Sequence, residues 1–338
     1  MQFDIRVSSL REFADFHLAF TSDEPRPPRL SNFRIDIKNS RVEVRRGRGS
    51  GGSFELWINN SKVTVTQHSF SMSRLLPSFF MRAVGKFRPT AEASFWITRL
   101  RRALGGIRAI GPYRRPPVRR YEFQGKPPAS PDLFGEYVAD SLIDDETRRG
   151  RKGELLSEVN RWLGPLAHIH ALPVRRISSA GRIYEIRFRD SQTGHWANLA
   201  DVGSGIGQAL PIIVEGLRSE HGNIFLVQEP ETHLHPDAQL AMADFLIWLS
   251  THGRTVVVET HSENILIRMR KALLENKALK VGVLYTEKHG KSGTKVSALE
   301  MDSLAQPENW PKGFMEESNI ARLELMEAMV RVVEGSNK

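Results

Sequence analysis

The stretch Asn223 to Pro236 reads N-I-F-L-V-Q-E-P-E-T-H-L-H-P, and it limits what this chain can fold into more than any other segment. Ile224 to Val227 form a short unbroken apolar run between polar residues, the pattern of a strand covered on both faces in an α/β sheet. Chemistry in such sheets sits at the carboxyl end of the strands. That end carries Gln228 and Glu229. A phosphate-transfer site needs one group to hold a magnesium shell and another to orient or deprotonate the attacking water, and these two residues are the candidates for metal contact and for the base.

Two further segments order the set. Upstream, Asp201 to Gln208 reads D-V-G-S-G-I-G-Q ahead of the apolar-periodic Ala209 to Leu217. A glycine-rich turn opening a helix aims backbone N–H groups at one spot and suits an anion. Downstream, Thr255 to Ser262 reads T-V-V-V-E-T-H-S. Here a β-branched strand ends on Glu259, Thr260 and His261 before a helix that Ser262 can cap. Pro236 suits a first helical position, with Leu240, Ala243, Phe245, Leu246 and Leu249 on the apolar side of the helix that follows. The strands before Gln228 and Glu259 should therefore lie side by side and end together.

The order glycine-rich signature, E-P-E-x-H-L-H-P, then E-T-H-S resembles the carboxyl-terminal half of ABC-type ATPases of the SMC, RecF and OLD kind. It is similar in particular to a bacterial AAA-family group in which N-L-A-D-V-G-x-G, E-T-H-S-E and a late W-P-x-G-F recur, here at Asn198 to Gly205, Glu259 to Glu263 and Trp310 to Phe314. Ile110 to Arg114, I-G-P-x-R, with Arg119 and Tyr121 after it, also looks like that group. The fold this implies is α/β, an incomplete P-loop NTPase-like sheet of the ABC type with flanking helices, plus a β-rich amino-terminal segment.

The resemblance implies roles for individual residues. Gly203, Ser204 and Gly205 would be the signature touching the terminal phosphate of a nucleotide held by a second subunit. Glu229 would activate water, His261 would sense the same phosphate, and Gln228 would lie at the nucleotide. Leu234, His235 and Pro236 match a loop that crosses a dimer interface, and Arg114 is a candidate phosphate or DNA contact. ATP and Mg2+ are the implied cofactors. A homodimer or an ATPase partner subunit is the implied assembly, serving DNA-related processes or phage defence.

The sequence departs from the family at three places. It contains no G-x-x-x-x-G-K-[ST] phosphate loop: Gly290-Lys291-Ser292 has Tyr285 where the earlier glycine belongs, and Arg46 to Ser53 has glycines without the lysine. Both read as connections between strands. Gln228 stands where relatives place an acid, which removes a charge from the magnesium shell. Gly203 replaces the usual signature serine. Because Phe3 to Val7 and Phe33 to Val44 are already strand-like, the front of the ATPase domain is expected to be absent through truncation or splitting, ahead of degeneration. The phosphate loop would then come from a missing amino-terminal piece or a partner. The competing class is a scaffold subunit, inactive in catalysis, that binds a partner protein or nucleic acid.

Composition bounds the rest. With 40% hydrophobic and 26% charged residues the chain is globular. It has no cysteine, which excludes disulfides and thiolate metal sites and fits a cytoplasmic protein. It has no bilayer-length apolar run or signal-peptide pattern. The formal charge is +9 with a pI near 9.9, and eight arginines lie between Arg99 and Arg120 without one acidic residue. Arg114, Arg115, Arg119 and Arg120 are candidate contacts for a DNA or RNA backbone, with a solvated loop or internal ion pairs as the alternative. Gly105, Gly106 and three prolines favour a loop over a basic helix. His233, His235 and His261 with Glu229, Glu231 and Glu259 could ligate a metal, but H-x-H on an extended segment points its rings to opposite faces. His168 and His170 read as structural.

Along the chain, residues 1–97 read as a partial β-rich lobe, 98–153 as an arginine-rich loop region and 154–314 as the nucleotide lobe. Residues 315–338 read as a carboxyl-terminal helix. A helix is expected over Glu154 to Leu166, strands at Arg182 to Phe188, and a last amphipathic helix over Asn319 to Val333.

Overall fold

A computed structural model describes residues 2–9, 12–21, 29–46, 54–63, 70–73, 76–79, 88–123, 125, 127, 132–148, 153–178, 182–288 and 293–308. Trp310 to Phe314, the helix expected over Asn319 to Val333, and Gly290 to Ser292 lie outside the described residues. The chain divides into two units, Met1–Gly106 and Ile107–Lys338.

The first unit is an antiparallel meander, β1 (Gln2–Ser9), β2 (Glu12–Thr21), β3 (Arg29–Ile37), β4 (Ser40–Arg46), β5 (Phe54–Ile58) and β6 (Ser61–Val63), paired in chain order. A hairpin, β7 (Phe70–Ser73) and β8 (Leu76–Phe79), and a helix, α1 (Arg88–Gly105), follow. Alternate residues Phe16, Leu18, Phe33, Ile35, Val42, Val44 and Leu56 face inward, as a half-buried sheet requires. Ala93, Trp96, Ile97 and Leu100, spaced at three and four residues, cover them from α1. β4 and β5 pair Arg46 with Phe54, so the glycine-rich Arg46 to Ser53 connects two antiparallel strands.

That helix corrects the expectation of loop from residue 98 onward. Arg99, Arg101 and Arg102 lie on α1. The apolar stripe at Ala93, Trp96, Ile97 and Leu100 carries the helix through the arginines until Gly105 ends it.

The second unit opens with β9 (Ile107–Ile110) and the short β10 (Tyr121–Glu122), then α2 (Val138–Thr147) and α3 (Glu154–Ala167). β11 (Ile169–Ala171), β12 (Val174–Arg176), β13 (Ile183–Asp190) and β14 (Trp196–Asn198) form an antiparallel sheet with β10, in which β13 pairs with all the others. Next come α4 (Ser204–Arg218), β15 (Ile224–Gln228), α5 (Pro236–Thr251), β16 (Thr255–Glu259) and α6 (Glu263–Glu275). β17 (Val283–Lys288) and β18 (Thr294–Leu299) close a hairpin with Lys288 opposite Thr294, so the segment holding Gly290-Lys291-Ser292 joins paired strands.

β16, β15 and β9 make a parallel sheet in that order. Phe225, Val227 and Ile110 pack from one face of it against Leu163, Leu210, Ile213, Phe245 and Leu249 of the helices. Beneath them Glu215, 2% exposed, accepts from Arg108 at 2.7 Å and Arg218 at 2.6 Å. Among the described residues no helix is long and apolar enough to cross a membrane.

Candidate functional site

The parallel register brings the sequence motifs together. Val227 pairs with Val258 and Gln228 with Glu259, so both strands end at one level. On the far side β9 ends at Ile110, opposite Val227. The expected adjacent, co-terminating strands are present. Gln228 donates its Nε2 to Glu259 Oε2 at 2.6 Å, which sets a carboxylate directly beside the amide. The charge that Gln228 lacks is thus supplied one strand over, and the two side chains offer hard oxygen donors of the kind magnesium takes.

Glu229, the next residue, has a φ of +44°, a left-handed conformation costly for a residue with a Cβ. Its backbone is pinned from several directions. The Glu229 N–H donates to Glu259 O at 2.8 Å, and Arg114 Nη2 donates to the carbonyls of Gln228 and Glu229, the latter at 3.1 Å. Arg114 is only 5% exposed, and its Nε and Nη1 have no hydrogen-bond partner among the described residues. Burial pulls its pKa down to about 10, against the opposing pull of Glu231 and Glu229. Thr232 Oγ1 donates to the Glu229 carboxylate at 3.3 Å.

Arg114, the candidate phosphate or DNA contact, is thus buried against these carbonyls rather than laid on the surface. Its neighbours are also engaged within the chain. Arg115 pairs with Glu136, and Arg119 forms a two-pronged pair with Asp201 while its carbonyl accepts from Asn198 Nδ2. Arg120 is exposed. The acidic partners lie far away in sequence, so no local window could reveal them.

Glu231 is the residue that sequence reasoning undervalued. Its Oε1 accepts from the His261 N–H at 2.6 Å and its Oε2 from Thr260 Oγ1 at 2.8 Å, tying the loop after β15 to the loop after β16. His261 is exposed at that edge. Ser262 caps α6 as expected, accepting from the Ile265 N–H at 3.2 Å, and its hydroxyl donates to Gln239 Oε1 at 2.7 Å. Gln239 in turn donates to Leu234 O at 3.0 Å. The E-P-E-T spacing was the signal for Glu231, since the second acid recurs two residues after the first.

The signature turn sits against the same loop. Gly203 is the N-cap of α4 without a side-chain hydrogen bond, and it and Ser204 are exposed. A Cβ on Gly205 would come within 2.7 Å of His233 O, so only glycine allows this approach. A Cβ on Gly207 would meet Pro117 at 2.7 Å, and Gln208 Nε2 donates to Arg114 O at 3.2 Å. His235, with its side chain 77% exposed, caps α5 through Nδ1, and Pro236 takes the first helical position. Among the described residues no group of three or more histidine, cysteine or acidic side chains forms a metal cage.

Solved structures similar to this chain include an SMC head domain from Thermotoga maritima, at 9% identity over 86% of this chain and 75% of that one, with a TM-score of 0.37. An SMC head with an extended coiled coil bound to the C-terminal domain of ScpA, derived from Pyrococcus furiosus, is similar at 9% identity over 90% and 82%, with a TM-score of 0.36. No curated protein matches the chain. Residues 155–266, which run from α3 through the signature turn, both strand ends and Ser262, match the family described as AAA ATPase domain.

Proposed function

We propose that this chain is the signature- and carboxylate-bearing part of an ATP-hydrolysing enzyme that works with a phosphate loop contributed by an amino-terminal piece or by a partner. The observation that carries the reading is the strand-end cluster, where Gln228 and Glu259 stand side by side and Glu229 is held in a strained conformation beside them. Strain maintained by several hydrogen bonds is characteristic of residues with a task.

Bound ATP with magnesium would supply the phosphoanhydride and the charge to be stabilised. Gln228 and Glu259 are the oxygen donors suited to the metal. Glu229 takes a proton from the attacking water, and His261 supports the site from the neighbouring loop. Exposed Gly203 and Ser204 and half-buried Gly205, with His235 and Pro236, form the surface that meets a second subunit, either another copy or an ATPase partner. Catalysis in such a site is largely positioning and electrostatics, which explains how much of the chain is spent on fixing loops.

The test is ATP turnover and nucleotide binding by the chain co-purified with a partner bearing G-x-x-x-x-G-K-[ST]. Glu229→Gln should lower turnover by about 10²–10⁴-fold with binding largely kept. Unchanged turnover would refute the assignment of the base. Nucleotide binding without any turnover in the wild-type assembly would favour the scaffold subunit, a reading that the glycine at position 203 and the amide at 228 support.

A further inference from the structure

Arg114 belongs to the loop after β9, and that loop touches two parts of the proposed site at once. On one side lies α4. Gln208 Nε2 donates to Arg114 O at 3.2 Å, and the adjacent Gly207 approaches Pro117 so closely that a Cβ there would stand 2.7 Å from the proline ring. Gln208 follows Ser204 by one helical turn on the same face, so the signature turn and these contacts belong to one stretch of helix. On the other side lies the turn after β15, where Arg114 Nη2 donates to the carbonyls of Gln228 and Glu229.

The second contact selects the backbone of the base. Along an extended strand successive carbonyls point to opposite sides, so one donor takes two consecutive carbonyls only where the chain turns. The chain turns at Glu229, whose φ of +44° costs energy that its hydrogen bonds offset. The loop is itself tied down on either side of Arg114: the Gly111 N–H donates to Leu133 O at 2.8 Å and the Arg115 N–H to Phe134 O at 2.9 Å. A displacement of α4 is therefore not taken up by loose chain before it reaches Arg114.

We propose that Arg114 is a positioning residue through which the signature helix governs the base, an inference that rests on the function proposed above. When a second subunit seats on Gly203 and Ser204, α4 is held against Arg114 and Pro117. Arg114 in turn fixes the carbonyls of Gln228 and Glu229 and so aims the Glu229 carboxylate. An α4 that is displaced loosens the same link, which ties turnover to engagement of the signature turn. Gln208 is the joint of this relay, because its side chain spans from the helix to the loop.

Amide hydrogen exchange of the full chain tests the link without nucleotide. Gln208→Leu removes the donor to Arg114 O and should speed exchange of the Glu229 N–H, bonded to Glu259 O at 2.8 Å, by about tenfold, with Phe225 and Val227 in β15 unchanged. Arg114→Met should speed it at least as much, and Arg114→Lys should restore the wild-type rate because a single nitrogen serves both carbonyls. In an assembly that turns over ATP, Gln208→Leu should lower kcat at least about tenfold with KM for ATP unchanged. Exchange at Glu229 that is unaltered in Gln208→Leu, a rise shared by Phe225 and Val227, Arg114→Lys behaving as Arg114→Met, or an unaltered kcat overturns the proposal. The two readings fail separately. Turnover that survives Glu229→Gln alongside the expected exchange removes the ATPase assignment alone, whereas Glu229-dependent turnover indifferent to Gln208→Leu removes only the relay.

Discussion

Glu229 combines a carboxylate that faces the proposed reaction with a backbone that glycine would adopt more readily. Glu229→Gly should therefore stabilise the chain by about 1 kcal/mol while eliminating turnover, and urea midpoints of the two proteins measure it. A loss of stability would mean that the Thr232 bond and the carboxylate's surroundings outweigh the strain. Arg114 acts from the opposite direction. It spends a buried guanidinium on two carbonyls, and Arg114→Ala should cost roughly 2–3 kcal/mol because those carbonyls lose a charged donor. Since its pKa of about 10 lies well above neutrality, this cost should be flat between pH 6 and 8 in urea titrations.

At the scale of elements, the close approach of α4 to the loop after β15 fixes the signature turn against His233 and Leu234. Gly205→Ala should push that loop away, at about 1–3 kcal/mol, because the obstructing atom is a backbone carbonyl with nowhere to rotate. Amide hydrogen exchange should rise at Leu234, whose N–H is bonded to Glu231 O, before it rises in the β15 strand. Unaltered exchange there would show that the two elements are not mechanically joined. In the β1–β6 sheet the relevant group is Glu43, 6% exposed, whose carboxylate accepts from Arg45 and Asn32 at 2.6 Å each. The Arg45 bond outweighs burial and holds its pKa below the ordinary 4.5. Its contribution is complete at neutral pH and fades as pH falls through the lowered folded-state value, so acid unfolding of this unit should be less steep in Glu43→Gln.

Considered whole, the chain joins an antiparallel unit to a nucleotide-type unit whose chemistry is gathered at one edge of three strands. Three arginines near that edge have acidic partners within the chain: Arg108 with Glu215, Arg115 with Glu136 and Arg119 with Asp201. Arg115 and Arg119 thereby join loops around the site.

Local chemistry determined a great deal here. The Ile224–Gln228 and Thr255–Glu259 strands, the helix opened by Pro236 and the Ser262 cap were legible because periodicity, proline geometry and capping act over a few residues. The continuation of α1 past residue 98 was legible in the same way, but the arginines and glycines drew the reading toward a loop. What depended on the tertiary structure was which distant groups meet. Glu259 stands beside Gln228 only because the strands are parallel and in register, Arg114 is buried only because its loop folds over β15, and Glu231 finds Thr260 and His261 across a gap of some thirty residues. Pairings of this kind are set by how sheets and loops pack, and no local window of sequence contains them.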